Sequence, residues 1–218
     1  MSALPRRLKI DMVSDVVCPW CAIGLNSLLL ALEGLRDVVQ AEIHVQPFQL
    51  NPDMPAEGAD VVDYLSRKYG MSADQVRANQ QAIAQRGRAV GFEFRMVRRS
   101  RTWNTFDAHR LLHWAGIEGK QLALKRALLS AYFSEGENPS DHAVLLRLAG
   151  QVGLDVAAAR AVLVGDTFAD AVRQRIDHYA RLGIRSVPAF IIDERHLIEG
   201  GQLPEMFEQA LRQLAAAG

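Results

Sequence analysis

The chain has 218 residues, 49% of them hydrophobic and 23% charged, with no low-complexity segment, so it can bury a substantial core. Lysine plus arginine and aspartate plus glutamate each number 25, which argues against nucleic acid or an acidic membrane surface as a partner. No apolar run approaches the length of a membrane span, and Asp11 and Asp15 interrupt the segment that a secretory signal would need.

The first predicted elements surround the chain's two cysteines, which both fall in the run SDVVCPWC at residues 14–21. Residues 8–13 are mostly apolar and predict a buried strand, and apolar residues at helical spacing continue to about residue 35. Cys18 therefore begins a helix, with Pro19 at the first helical position. Since no cysteine remains for a structural disulfide, the composition predicts a protein of the reducing cytoplasm.

This position has chemical consequences for the two thiols. Free N–H groups and the positive end of the helix dipole favour an anion at Cys18, so its thiolate should be stabilised. Two intervening residues let Cys21 reach back to Cys18. The spacing predicts a redox pair in which Cys18 attacks a substrate disulfide and Cys21 releases the mixed intermediate.

The cysteines have two other interpretations. In the first, the cysteines are half of a zinc site, because His109 and His113 stand at H-x-x-x-H spacing. However, about ninety residues separate the cysteine pair from the histidine pair, where a zinc finger has roughly 12 to 15. In the second, the cysteines are two inert buried thiols, but this does not explain a Pro-Trp pair between them at a helix start. We expect no bound metal.

The middle of the chain divides into a second strand and a long helical region. Residues 41–46 alternate apolar and polar side chains, which predicts a half-buried strand, and two prolines in residues 47–52 end it. Residues 59–182 change to helical periodicity broken by glycine and proline. We predict that this region is an all-helical insertion after a βαβ unit.

The last part of the chain returns to strands. Gly183 is typical of a helix end, and residues 184–192 form a turn that leads into an apolar strand. Residues 193–195 can turn that strand back into residues 196–199 as a hairpin, and Pro204 starts a final helix. The predicted order is therefore β-α-β, helices, β-β-α.

That order, with C-x-x-C at the first helix, resembles the thioredoxin fold, and the insertion is similar to that of the DsbA family. Residues 14–24, 48–52, 104–110 and 186–190 resemble the FrnE-like, mostly cytosolic branch of that family. The resemblance implies an α/β protein with a thioredoxin-like fold and an all-helical insertion domain. Residues 1–58 and 183–218 would form the thioredoxin-like domain, and residues 59–182 the insertion.

The resemblance also implies site residues. Pro188 would form a cis peptide with Val187 and face Cys18, completing a catalytic set of Cys18, Cys21 and Pro188. Val187 would offer its backbone to an extended substrate, beside Pro19 and Trp20. In the periplasmic DsbA oxidants a histidine stands where Trp20 is, and indole has only a neutral donor, so Cys18 should be less acidic here than in those proteins.

Further candidates for substrate contact lie farther along the chain. Phe48 and Asn51 follow the second strand, and Asn104 and His109 belong to the insertion, as do the neighbouring aromatic residues Trp103 and Phe106. We expect these side chains to line a cleft over the redox site. The alternative is that they form an ordinary packing layer, as we expect for His113 and Trp114.

Two functions of different class follow from these features. The first is a cytoplasmic protein-disulfide reductase or isomerase that cycles Cys18 and Cys21 between dithiol and disulfide, acting on protein or small-molecule disulfides. The second is a glutathione-dependent enzyme similar to the kappa-class transferases and 2-hydroxychromene-2-carboxylate isomerases, which use a serine where Cys18 stands. The presence of both cysteines favours the first. We expect no tightly bound cofactor, with glutathione as reductant or co-substrate, and a monomer or homodimer.

Overall fold

The computed structural model describes residues 4–217. Within them, six strands and nine helices follow one another along the chain. In order they are β1 (Arg6–Ser14), α1 (Pro19–Glu33), β2 (Val39–Pro47), β3 (Ala59–Asp60), α2 (Val61–Tyr69), α3 (Ala73–Ala89), β4 (Arg101–Thr102), α4 (Phe106–Ile117), α5 (Gln121–Ser130, continued by a π-helical turn at Ala131–Glu135), α6 (His142–Gln151), α7 (Val156–Val164), α8 (Ala169–Arg181), β5 (Ala189–Ile192), β6 (His196–Glu199) and α9 (Pro204–Ala216).

Four strands form the main sheet in the order β2-β1-β5-β6. Strand β1 runs parallel to β2 and antiparallel to β5, so that Met12 faces Val45 on one side and Phe190 on the other. Because β1 has neighbours on both edges and packed layers on both faces, its central residues are buried, which explains its apolar sequence. The predicted β-α-β and β-β-α halves are both confirmed.

The ends of these elements follow from local backbone preferences. Gly183 has φ 87° and follows Leu182, the C-cap of α8, as its sequence position predicts. The predicted hairpin joins β5 to β6 through Asp193 and Glu194, both with positive φ. Lys9 stabilises this turn, because its N–H donates to Asp193 and its ammonium to Glu194.

The insertion is helical apart from one feature that the sequence did not predict. Strands β3 and β4 pair as a two-residue antiparallel ladder, with Ala59 opposite Thr102. A ladder this short gives no period-two pattern along the sequence. Asp155 caps the start of α7, since its carboxylate accepts the N–H of Ala158.

Helices of the insertion pack directly on the sheet. Helices α4, α5 and α8 contact β2, and one hydrophobic cluster joins Ile10 of β1 to Leu111 of α4 and Leu128 of α5. The insertion and the thioredoxin-like part thus share one core, and the boundaries placed at residues 59 and 182 stay predictions. Within residues 4–217, no helix has the length and apolar character that crossing a membrane requires.

Candidate redox site

The cysteine pair lies where β1 passes into α1. Cys18 is the N-cap of α1 with an extended backbone, Pro19 is the first helical residue, and the Cys21 N–H donates to the Cys18 carbonyl at 3.1 Å. No side chain caps this helix and its first turn holds no acidic residue. The free N–H groups and dipole of α1 therefore act on the Cys18 sulfur.

The two thiols have opposite acid–base properties. A hydrogen bond from the Cys21 thiol holds the pKa of Cys18 below its ordinary value, helped by backbone N–H groups, although burial opposes ionisation. Burial, followed by the hydrogen bond and charge of Cys18, raises the pKa of Cys21 well above its ordinary value. Both cysteines are free thiols in this structure. The direction of these shifts agrees with Cys18 as the attacking thiolate.

A loop before β5 faces Cys18. The Val187–Pro188 peptide is cis, as the family resemblance predicted, and the Cys18 Sγ lies 3.5 Å from the Val187 carbonyl oxygen. Gly24 permits this close packing of α1, because a Cβ there would lie 3.1 Å from the Pro188 ring. The structure thus brings Cys18, Val187 and Pro188 together across the end of the sheet.

Beneath Cys18, the fully buried carboxylate of Asp15 connects three parts of the chain. Its Oδ1 accepts the Val16 N–H at 2.7 Å and lies 3.4 Å from His109 Nε2, while Oδ2 accepts the Leu50 N–H at 2.8 Å. Burial opposes ionisation, but the contact with His109 and the Leu50 N–H outweigh it and lower the pKa of Asp15. Asp15 therefore fixes the cysteine loop against α4 and against the loop that follows β2.

Lys125 of α5 is a second fully buried charged residue at the site. Its Nζ has no hydrogen-bond partner within residues 4–217. Burial lowers the pKa of Lys125, whereas the negative charges of Cys21, Asp15 and Cys18 act against that shift. No sequence pattern predicts this placement, because a lone lysine in an amphipathic helix is usually exposed.

The other side of Cys18 opens into a groove of about 690 Å³. The cysteine loop and the loop before β5 form one wall, and α2 and α3 of the insertion form the other. More of its surface is apolar than polar. Sequence-predicted residues that line it are Cys18, Pro19, Trp20, Phe48, Asn51 and Val187.

Cationic and aromatic side chains shape the rim of this groove. Lys68 donates to Asn51 Oδ1 at 2.8 Å, which fixes the Asn51 amide, and the exposed Arg185 lies on the opposite wall. Trp20 is 38% exposed, and the Arg86 guanidinium lies 5.6 Å from its ring centroid. Anionic groups of a ligand in the groove would therefore meet positive charge at its rim.

Four insertion residues predicted to line the groove lie outside it, namely Trp103, Asn104, Phe106 and His109. Asn104 donates to the carbonyls of Pro52 and Met54, and its own carbonyl accepts the Phe106 N–H. His109 is buried against Asp15. Both side chains are committed to contacts within the protein, so neither lines the groove.

Comparisons with known proteins agree with this geometry. The chain is 31% identical over 205 residues to YwbO, an uncharacterized protein of Bacillus subtilis strain 168, covering 94% of this chain and 96% of that protein. The crystal structure of a probable DsbA oxidoreductase, SCO1869 from Streptomyces coelicolor, superposes with a TM-score of 0.89 at 34% identity, covering 96% of this chain and 90% of that one.

A more distant structure shares the fold alone. The cytosolic disulfide reductase DsbM from Pseudomonas aeruginosa, solved with glutathione, superposes with a TM-score of 0.65 at 18% identity, covering 95% of this chain and 99% of that one. The profile of the DSBA-like thioredoxin domain matches residues 9–212, nearly the whole chain. With its C-x-x-C pair at the start of α1 and a cis-proline loop facing Cys18, the chain belongs to the DSBA-like thioredoxin domain family.

Proposed function

We propose that the protein is a thiol-disulfide oxidoreductase that reduces or isomerises protein disulfides in the cytoplasm. The observation that carries this proposal is the opposed environment of the two thiols. Cys18 faces an open groove with a lowered pKa, and Cys21 lies behind it with a raised one. One thiol is thus prepared to attack and the other to resolve.

The reaction proceeds in two exchanges. The Cys18 thiolate attacks one sulfur of a substrate disulfide, so that a Cys18–substrate bond forms and the second substrate sulfur leaves as a thiolate. Cys21 then loses its proton and attacks Cys18, which closes the Cys18–Cys21 disulfide and releases the first substrate sulfur as a thiolate. The substrate gains two electrons, and the protein loses them.

The groove gives a reason for broad substrate choice. The Val187 carbonyl lies beside Cys18, and strand-like pairing with backbone at this position holds an extended peptide without demanding a sequence. Phe48 and Trp20 add apolar contact on either side. We infer that Pro188 shapes this loop, and that glutathione, whose carboxylates suit Lys68 and Arg185, serves as the reductant.

The glutathione-dependent isomerase or transferase is the less supported alternative. Such enzymes, as the resemblance describes them, use a serine at the position of Cys18 and need no second thiol. Here Cys21 is fully buried against Cys18 and its thiol donates to that sulfur. The assignment to the FrnE-like branch stays a prediction.

Single cysteine variants test the proposal in an insulin-disulfide reduction assay with glutathione present. We expect Cys18→Ser to abolish reduction and Cys21→Ser to accumulate a mixed disulfide that mass spectrometry detects. Wild-type activity in Cys18→Ser would end the redox proposal. The equilibrium constant of the Cys18–Cys21 pair with glutathione then gives the direction of electron flow.

A further inference from the structure

Two buried arginines of the described chain have different surroundings. Arg110 is 4% exposed, and its guanidinium donates to the Asp107 carboxylate and to three backbone carbonyls. Arg99 is 5% exposed, but its Nε has no hydrogen-bond partner within residues 4–217. The acceptor that it does have there is the weak sulfur of Met96, 3.7 Å from Nη1. The charge of Arg99 is therefore buried without compensation, which costs free energy unless an anion pairs with it.

Aromatic packing holds the Arg99 guanidinium at the wall of the groove beside Cys18. Its central carbon lies 5.5 Å from the ring centroid of Tyr132 and 5.4 Å from that of Phe133. Arg99 and Cys18 both line the groove. Ring contacts of this kind orient a guanidinium but do not satisfy its N–H groups. Arg99 is thus a preorganised cation with unused donors at the groove.

The groove itself offers no carboxylate to Arg99. Among residues 4–217, those that line it include Lys68, Arg99 and Arg185 but neither aspartate nor glutamate. Asp60 lines an adjoining cavity that shares Arg99, but its Oδ1 caps α2 by accepting two backbone N–H groups of that helix. An anion for Arg99 would therefore have to come from a ligand.

A second buried donor accompanies Arg99. Gln80 of α3 lines the groove, and its Nε2 has no hydrogen-bond partner within the described part of the chain. Gln80 and Arg99 both line the adjoining cavity as well, so they lie where the two spaces meet. A guanidinium and an amide together carry one positive charge. This suits the single negative charge of a carboxylate better than a phosphate, whose charge is about −1.5 to −2.

The wall that α2 and α3 form beside these donors is largely apolar. Five side chains of these helices and of the turn between them line it, namely Val61, Leu65, Met71, Val76 and Ile83. The groove volume of about 690 Å³ falls within the range of roughly 300 to 1,000 Å³ for small-molecule sites. Glutathione is polar along its length, so this wall suits a ligand with a less polar body.

On the basis of the proposed function, we propose that Arg99 determines specificity by binding a carboxylate of a low-molecular-weight disulfide with an apolar body. The carboxylate accepts from Arg99 and Gln80, and the apolar part packs on the α2 and α3 wall. The disulfide faces Cys18, which borders the same groove. The two exchanges at Cys18 and Cys21 then reduce this disulfide to two thiols, and they need no further reactant.

A ligand that cannot exchange tests the carboxylate site apart from the redox chemistry. Methylthiobenzoate and methylthiobenzamide are thioethers of nearly equal size, and only the first is charged. In calorimetric titrations of wild type, we expect the benzoate to bind about 10-fold to 100-fold more tightly, the contribution of hydrogen bonds to a buried charge. Arg99→Met should abolish this preference. The control Arg67→Met, at an exposed position of α2 outside the groove, should keep it.

A second variant covers the case in which Arg99→Met does not fold. Gln80→Leu keeps the helical propensity of α3 and removes the neutral donor, so it should reduce the preference for the benzoate by about tenfold. An unchanged preference in Gln80→Leu would contradict the placement of the carboxylate between these two residues.

Matched disulfides connect the site to turnover. Dithiodibenzoate and its neutral diamide both release an absorbing thiolate when Cys18 attacks them. We expect Arg99→Met to slow the reaction of the reduced protein with the diacid by about 10-fold to 100-fold and to leave the rate with the diamide unchanged. The rate with glutathione disulfide should also stay the same. An equal loss of rate with all three disulfides would show that Arg99 only supports the fold, and would overturn the proposal.

The binding and kinetic experiments separate failure of this inference from failure of the proposed function. Equal affinity of wild type for the benzoate and the benzamide, or an unchanged preference in folded Arg99→Met, would refute the carboxylate site, whatever the rates with disulfides. A wild-type protein that prefers the benzoate but reacts with none of the disulfides would contradict the redox function and leave the carboxylate site standing.

Discussion

The two sides of the redox site differ in what their residues are free to do. On the groove side, Trp20, Phe48 and Arg185 are at least partly exposed and line open space beside Cys18. On the buried side, Asp15 and Lys125 are fully enclosed. The groove side is therefore open to a ligand, whereas the buried side holds its polar groups at fixed positions, where exclusion of water makes each charge act strongly.

The largest expected effect comes from removing a charge on the buried side. Asp15→Asn keeps one acceptor oxygen, so the N–H of either Val16 or Leu50 would face the NH₂ group of the amide and lose its hydrogen bond. We therefore expect the free energy of unfolding to fall by about 2 to 4 kcal/mol. Urea unfolding measures it. The matched control is the exposed Asp53→Asn, which should change stability by less than about 0.5 kcal/mol.

The pH dependence of that loss has a definite sign. The pKa of Asp15 is lowered below its ordinary value of 3.8, so its contribution is present above that value and disappears as pH falls through the lower folded-state pKa. The difference in stability between wild type and Asp15→Asn should therefore be full at about pH 7 and shrink below about pH 4. A difference that grows on acidification would contradict the ionised, hydrogen-bonded carboxylate.

A smaller effect is expected from placing a charged donor on the groove side. Trp20→His lets an imidazolium donate to the Cys18 thiolate, so the pKa of Cys18 should fall further and the dithiol should become more stable. We expect the equilibrium constant with glutathione to move about tenfold toward the dithiol, about 30 mV in potential. Thiolate absorbance during a pH titration checks the first change, and glutathione equilibration the second. An unchanged titration would show that residue 20 does not influence Cys18.

The smallest effect is expected from removing a positive charge at the rim of the groove. Arg185→Ala removes an exposed cation that lines the groove, and exposed charge pairs contribute about 0.2 to 1 kcal/mol, so KM for glutathione disulfide should rise only about 1.5-fold to 5-fold. Insulin reduction should change less, because backbone pairing at Val187 does not depend on charge. Arg181→Ala, exposed on α8 but outside the groove, is the control. An equal rise in KM in both variants would mean that the overall charge of the protein, and not the cation at the groove rim, determines the affinity for glutathione disulfide.

Sequence patterns predict the groove side better than the buried side. The signals on the groove side are all local in sequence, and each one specifies a strand, a helix start or a turn. They are the apolar run of β1, the C-x-x-C spacing, the hairpin at Asp193 and the resemblance around Pro188. They place Cys18, Trp20 and Val187 correctly. The positions of Phe48 and Asn51 in the groove are also predictable, because both residues come soon after a strand whose end lies beside the cysteines.

The buried side depends on contacts that no local pattern records. Asp15 meets Leu50 and His109 only because α4 and the loop after β2 pack against the cysteine loop. Lys125 lies in a helix whose sequence period marks Leu124 and Leu128 as buried but says nothing of what an enclosed lysine faces. His109 shows the same limit: helical periodicity predicts that it is on an inner face, and tertiary packing decides that this face meets Asp15 and not the groove.

The complete enclosure of Cys21 also bears on the dynamics of the native protein. A thiol at 0% exposure can react with an alkylating reagent only during a local opening of the core. In a chain that carries serine at position 18, the alkylation rate of Cys21 would therefore report how often β1, α1 and the helices of the insertion separate. The resolving cysteine is thus a native label for fluctuations that the average structure does not display.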